Sequence, residues 1–596
     1  MASFRLIDTR PLVDCAMGRV PADLVIRNGR WVSVQTGEIV PNTDIAVIQG
    51  RIAYVGPDAR YTIGSDTQVV DAHDQYLVPG LIDGHMHVES GMLTVTEFVR
   101  AVLPHGTTGM FVDPHEIANV FGAKGVQLML DEASLQPVHV FVQMPSCVPS
   151  APGFETPGAT LDPEEIEAFM QNPAIIGLGE MMNFPGVAAN DKKVHAELSA
   201  TRQENKVIGG HYASPDLGRP FYGYAAGGAQ DDHEGTTTQD AILRARQGMK
   251  VMMRYGSAWH DVVTQVKAVT EKGMDPRGFI LCTDDSHSAT LIQEGHIDRA
   301  LKHAISQGLA PMTAIQMATI NPAEHFGVSR EMGMIAPGRY ADILIVEDLV
   351  NFLIRQVFAQ GQLVAQDGKA LVALPEMTYP DWALNSVHLK RPVLAEDFAL
   401  KAPIQSGCVT AHVIGVIENQ APTHHLKMEV PVVDGEVKAD RNLDLVKLAL
   451  VERHHQSGRI QVALVKGFGF TEHCAIATTV AHDCHNLIVA GTDDEAMALA
   501  VNKLAAWGGG QIVIKDGQVI GKVELPLAGL MSYRPAIQVA EAAATVLKGF
   551  KDCGCNLNNP NMQLSLLGLV VIPSLRLSDL GLVDVDQFKF ISVLES

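Results

Sequence analysis

Leu77–His87, read LVPGLIDGHMH, is an apolar run that ends in two histidines flanking a single residue. On an extended strand a spacing of two sends both side chains to one face, so His85 and His87 can chelate one ion together. Seven further runs of the same style follow: TTGMFVDPHE (107–116), VHVFVQMP (138–145), AIIGLGEM (174–181), KVIGGHY (206–212), AQDDHEG (229–235), KVMMRYG (250–256) and GFILCTDDS (278–286). Helix-compatible stretches lie between them, among them LTVTEFVRAVLPHG (93–106), TTTQDAILRARQG (236–248) and HIDRALKHAISQG (296–308). Repeated strand–helix units imply a parallel sheet, and eight of them over this length predict a closed (β/α)8 barrel.

Working outward, 22–78 reads as short strands between Gly, Pro and Asn punctuation (DLVIRNGRWVSV, DIAVIQGRIAYVG, TQVVDAHDQYLV), and the same style returns in GMIAPGRYADILIVED (333–348) and RQVFAQGQLVAQDGK (355–369). The expectation is an α/β protein: a discontinuous small β-sandwich domain (1–76 and 333–393), the barrel inserted at 77–332, and a C-terminal α/β domain at 394–596.

A (β/α)8 barrel carries its chemistry at the carboxyl ends of its strands. Strand one ends in His85 and His87, strand four in Glu180, strand five in His211, strand six in His233 and strand eight in Asp284. Any one of these is as readily a hydrogen-bonded core side chain. Six at successive strand ends form a ligand set for two divalent ions, and the donor types suit Mn, Fe(II) and Zn alike. Two cations sharing a water would lower its pKa towards neutrality and make it a nucleophile. Asp113, His115 and Glu116 end strand two behind a stiffening Pro114, with helix capping as the alternative for either carboxylate. Asp285 follows Asp284 and, by strand alternation, is expected to face outward or support a loop; Ser286 and His287 remain pocket candidates. His482 and His485 in HDCH have a spacing that could bind a metal on a helical turn, but are expected rather as hydrogen-bonded structure or as a cover over the barrel mouth. His454 and His455 read as solvated or interfacial.

The motif PGLIDGHMH, the single histidines at strands five and six and the Asp at strand eight resemble the amidohydrolase superfamily. GEMMNFPGV, DPHEIANVFG, GGHYA, DDHE, CTDDSH and, further on, VAHDCHNLIVAGT and LPLAGLMS are similar to the adenine deaminases within it, over essentially the whole chain. That resemblance implies a carboxylate, Glu180, bridging two metals, Mn or Fe(II) first and Zn third, and hydrolytic deamination of adenine to hypoxanthine and ammonia. In that chemistry Asp284 would shuttle a proton to the departing amine. Asp113, His115 or Glu116 would protonate the ring. The alternatives are a deaminase of a related aminopurine and a cyclic-amide hydrolase of the same superfamily. The latter usually carries a carboxylated Lys where Glu180 stands.

With a formal charge of -22, the 596-residue chain is not built to neutralise phosphates, so nucleic acid is not an expected partner. Neither a signal-peptide run nor an apolar stretch long enough to span a membrane is legible, and eight sparse Cys residues fit a reducing compartment. The expectation is a cytoplasmic enzyme acting on a small molecule, assembled as a homo-oligomer with a dimer as the simplest form.

Overall fold

The computed structural model describes residues 8–595. Strands one to five of the barrel are Leu81–His87, Thr107–Val112, His139–Met144, Ile175–Met181 and Val207–Gly210, parallel and paired in chain order. Strands six and seven, Asp231–Asp232 and Lys250–Arg254, continue it in a second parallel sheet. Strand eight is split at Thr283: Phe279–Cys282 pairs with strand seven, while Asp284–Asp285 pairs with strand one, Asp284 opposite Met86 and Asp285 opposite His87. A backbone bond from Gln230 N to Ile208 O, 2.9 Å, joins strand six to strand five, so the ring of eight closes. Asp83 of strand one pins the split: its carboxylate accepts from Thr283 N at 3.1 Å and Thr283 Oγ1 at 2.6 Å.

The barrel interior is filled rather than hollow. Ile82, Phe111, Phe141, Ile176, Val207, Met252, Ile280 and Cys282 supply one layer from seven of the strands, and Phe326, Val328 and Met332 close it from below. Apolar packing therefore occupies the lower barrel, and the polar strand ends are left to converge at the top. The outer helices form where the periodic stretches lie, at Val95–Val102, Thr238–Arg246 and Ile297–Ser306. Thr94 and Thr237 cap the first two by accepting from Glu97 N and Asp240 N.

Strands from both sides of the barrel, between Leu24 and Pro79 and between Ile343 and Ala370, share one nine-stranded sheet. Tyr76–Pro79 belongs to this sheet, pairing antiparallel with Ile343–Val346, and the chain enters the barrel at Gly80. A Cβ at Gly80 would sit 2.0 Å from Thr108 Oγ1, which is why the crossover uses glycine. The C-terminal region carries a ten-stranded sheet, a three-stranded one and two long helices, Asp494–Trp507 and Ala536–Asp552. It docks on the barrel through Ser532 N to Met92 O, 2.9 Å, and through His455 Nε2 and Asn486 Nδ2 donating to Pro157 O and Thr156 O at 2.8 and 2.9 Å. Among the described residues no helix is long and apolar enough to cross a membrane.

Candidate active site

Glu180, at the end of strand four, is the centre on which the strand ends converge. Its Oε2 lies 2.9 Å from both His211 Nδ1 and His233 Nε2 and 3.5 Å from His85 Nε2. His87 Nε2 stands 3.3 Å from Asp284 Oδ1, and the His85 ring stacks on His233 at 4.1 Å between centroids. All six residues named from the strand-end rule are thus in one cluster; all are buried except His211, which is half-buried.

The surroundings fix how each ligand atom is presented. His87 Nδ1 donates to Asp113 O at 2.8 Å, so the lone pair is on Nε2, facing the cluster. Asp232 accepts from Tyr212 N at 2.7 Å and from Arg244 Nε at 2.9 Å, and Asp231 accepts from Gly210 N at 2.9 Å. The paired Asp residues of DDHE therefore brace His211 from the neighbouring strand. Asp113 lies beneath the cluster: its Oδ2 accepts from Glu180 N at 2.8 Å and fixes the end of strand four. His115 stands on the other side of Glu180, its Nδ1 3.3 Å from Oε1.

Buried neutral imidazoles and carboxylates are donors suited to a divalent cation. His85 Nε2 is buried without a hydrogen bond, and His211 Nδ1 and His233 Nε2 approach to 3.2 Å around one carboxylate oxygen. Three sets, His85/His87/Glu180, Glu180/His211/His233 and His87/Asp284/Asp285, each bring one ligand atom per residue within 4.8 Å of the others. The residues present fit a divalent metal, and Glu180 is common to two of the sets.

Asp285 departs from the alternation argument. Asp284 has φ 57°, so the chain turns there and successive side chains no longer point to opposite faces. Asp285 accepts from Ser90 Oγ and brings a carboxylate oxygen to the His87 side. Ser286 is buried, and His287 N donates to Ser257 Oγ at 2.8 Å at the start of the helix Ser288–Gln293.

Arg254, at the end of strand seven, was not singled out by the sequence. Its Nη1 lies 3.1 Å from Asp284 Oδ2 and bonds Glu234 Oε1, while Nε donates to Asp261 Oδ2 at 2.9 Å. The rule that found the histidines applies to it equally, since KVMMRYG places Arg254 at a strand end. The HDCH residues also reach the site: His482 Nδ1 is 2.8 Å from Glu116 Oε1, and His485 Nε2 bonds Glu116 Oε2. Burial alone would push the Glu116 carboxyl up, but His482, His485 and His115 hold it well below the usual carboxylate range. His454 and His455 are interfacial, donating to Cys484 O at 2.7 Å and Pro157 O at 2.8 Å.

Comparison with known proteins agrees with this architecture. Residues 76–364 match the amidohydrolase family and residues 420–589 the adenine deaminase C-terminal domain. The chain is 59% identical to adenine deaminase 3 of Rhizobium meliloti (strain 1021) over 98% of both chains. It is 58% identical to adenine deaminase of Ruegeria sp. (strain TM1040), covering 98% of this chain and 97% of the relative. It is 51% identical to the Moorella thermoacetica (strain ATCC 39073 / JCM 9320) adenine deaminase over 98% of both. A barrel bearing this ligand set, fused to that C-terminal domain and related to these enzymes from end to end, belongs to the adenine deaminase family of the amidohydrolases.

Proposed function

We propose that this protein hydrolyses adenine to hypoxanthine and ammonia with two divalent cations, Mn or Fe(II) first and Zn third. The observation that carries the reading is the position of Glu180, shared between His85 and His87 on one side and His211 and His233 on the other. One cation would be held by His85, His87 and Asp284, the other by His211 and His233, with Glu180 common to both. When bound, the metal supplies Lewis acidity, lowering the pKa of a water towards neutrality so that it can attack at neutral pH.

The remaining steps belong to the chain's own side chains. Asp284, oriented by Arg254, takes a proton from the attacking water and delivers it to the amine on C6, which departs as ammonia. The buried floor of the site excludes bulk water, and the imidazoles stay fixed by their outer hydrogen bonds. The same attack on a ring carbon needs a proton on the purine ring, which places an acid near Glu116 and His115. Eight free thiols, seven of them buried, suit the cytoplasm.

The test is ammonia release from adenine, adenosine, cytosine and guanine, and ring opening of dihydroorotate and hydantoin, with protein of measured metal content. Selective turnover of adenine is expected. Turnover of a cyclic amide in its place, with two metals bound, would overturn the proposal.

A further inference from the structure

His482 and His485 lie in the C-terminal region, yet both bond a carboxylate that follows strand two of the barrel. The two imidazoles are held differently. Ala481 N donates to His485 Nδ1 at 3.2 Å, so the ring proton of His485 must sit on Nε2, which meets Glu116 Oε2. A protonated Nε2 has no lone pair for a metal, so His485 is a neutral donor that fixes Glu116. Its turn is rigid: His485 N donates to Ala481 O at 2.7 Å, and His485 O accepts from the buried Arg453 Nε. The residue itself has φ 51°, a left-handed conformation that a non-glycine keeps only where packing enforces it.

His482 commits Nδ1 to Glu116 Oε1, and among the described residues its Nε2 makes no hydrogen bond. Its side chain is 11% exposed, against none for His485. Glu116 follows strand two, whereas Asp285, which ends strand eight, and His287, just beyond it, interact electrostatically with His482. Strand one runs between strands two and eight, so Glu116 and Asp285, the two barrel carboxylates that act on His482, flank the strand that carries His85 and His87.

We propose that the C-terminal domain completes the active site: His482 is the acid that protonates the purine ring, and Glu116 and His485 position it. The inference rests on the adenine reading above. As the water oxygen bonds to C6, the C6–N1 π pair moves onto N1 and takes the Nε2 proton of His482. The imidazole left behind stays hydrogen-bonded to Glu116 through Nδ1–H. The N1–H is retained in hypoxanthine; one water proton leaves with the amine as ammonia, and the other returns through solvent to His482. Burial would favour a neutral His482, but the facing carboxylates of Glu116, Asp285 and Asp483 raise it to about 10 against the nearby His485 and His287, so the proton is in place at neutral pH. Glu116 is ionised and serves as the anchor, not as the acid.

The experiment compares wild type, His482→Gln and His482→Ala for metal content, melting temperature, kcat and KM on adenine. Loss of a general acid predicts a fall in kcat of about 10²–10⁴-fold at full metal content with little change in KM. Added imidazoles should restore turnover in His482→Ala, the restored rate following the pKa of the imidazole, an effect that a structural role would not produce. Unchanged kcat in His482→Gln at full metal content overturns the proposal, and so does a loss that tracks metal or folded protein and no imidazole rescues. Failure of metal-loaded wild type to turn over adenine would instead overturn the function proposed above.

Discussion

Asp284 carries three constraints in one residue: Oδ1 faces His87, Oδ2 faces Arg254, and the backbone sits at φ 57°. The left-handed turn moves it out of strand geometry and into the cluster, where its carboxylate can both hold a cation and move a proton. Asp284→Asn keeps the shape and one coordinating oxygen but has no anionic oxygen to accept a proton. We expect retained metal, by elemental analysis, and kcat on adenine lower by about 10²–10⁴-fold; activity near wild type would remove Asp284 from the shuttle role. Glu180→Gln acts on another property. An amide presents an NH2 where a carboxylate oxygen faced His211 and His233, so metal stoichiometry should fall below two per chain. Two ions bound to that variant would refute the shared-carboxylate assignment.

Strand four shows how an element delivers its residue. Gly179 leaves room for the Asp113 carboxylate, which in turn holds the amide of Glu180; a Cβ at Gly179 would lie 2.3 Å from Asp113 Oδ2. Gly179→Ala must push either Asp113 or the strand end aside. The expected cost is about 1–3 kcal/mol of stability, read as a lower urea midpoint, together with weaker metal retention on dialysis. An alanine variant with wild-type midpoint and metal content would show that strand four does not depend on this contact. The strand ends were legible because the barrel rule states where ligands belong before they are inspected. Less visible was how strand one aims them: its register with strand two shifts between Asp83 and Met86, an irregularity of the kind that re-aims side chains. Asp285 supports the loop after strand one through Ser90, one of the two roles expected of it; that its carboxylate also reaches the His87 side was not legible, since alternation assumes extended backbone and Asp284 breaks it. Arg254 obeys the same rule but is no metal donor; its place at the site is set by its pairing with Asp284 and Asp261, which no spacing in the sequence announces.

At the scale of the molecule, the contacts that matter most join residues hundreds of positions apart, and no local pattern announces them. The HDCH turn meets Glu116 across 369 positions. Buried Arg453 ties the same turn to two others by donating to His485 O, to Ser386 O at 3.0 Å and to Ala528 O at 3.0 Å. Sequence offered the HDCH segment as a cover over the barrel mouth but could not choose that over hydrogen-bonded structure, since the choice depends on which faces pack. Glu155 probes this seam. It belongs to the loop after strand three, accepts from Ser150 Oγ and Ala151 N, both at 2.8 Å, and leaves Oε2 buried without a hydrogen bond. Burial first, then the nearby Asp483 of the HDCH turn, raises its carboxyl to about 7. Below about pH 4.5 Glu155 is protonated whether the chain is folded or not, and it makes no difference to stability. Between there and pH 7 the unfolded chain releases the proton while the folded one keeps it, so stability falls as pH rises, by up to about 3 kcal/mol for a rise from 4.5 to about 7. Glu155→Gln has the same outline and no charge to bury. Its urea midpoint should therefore match wild type at pH 4.5 and exceed it at pH 8, the gap opening between those values; midpoints that run parallel across the range would mean that Glu155 carries no buried charge at the seam.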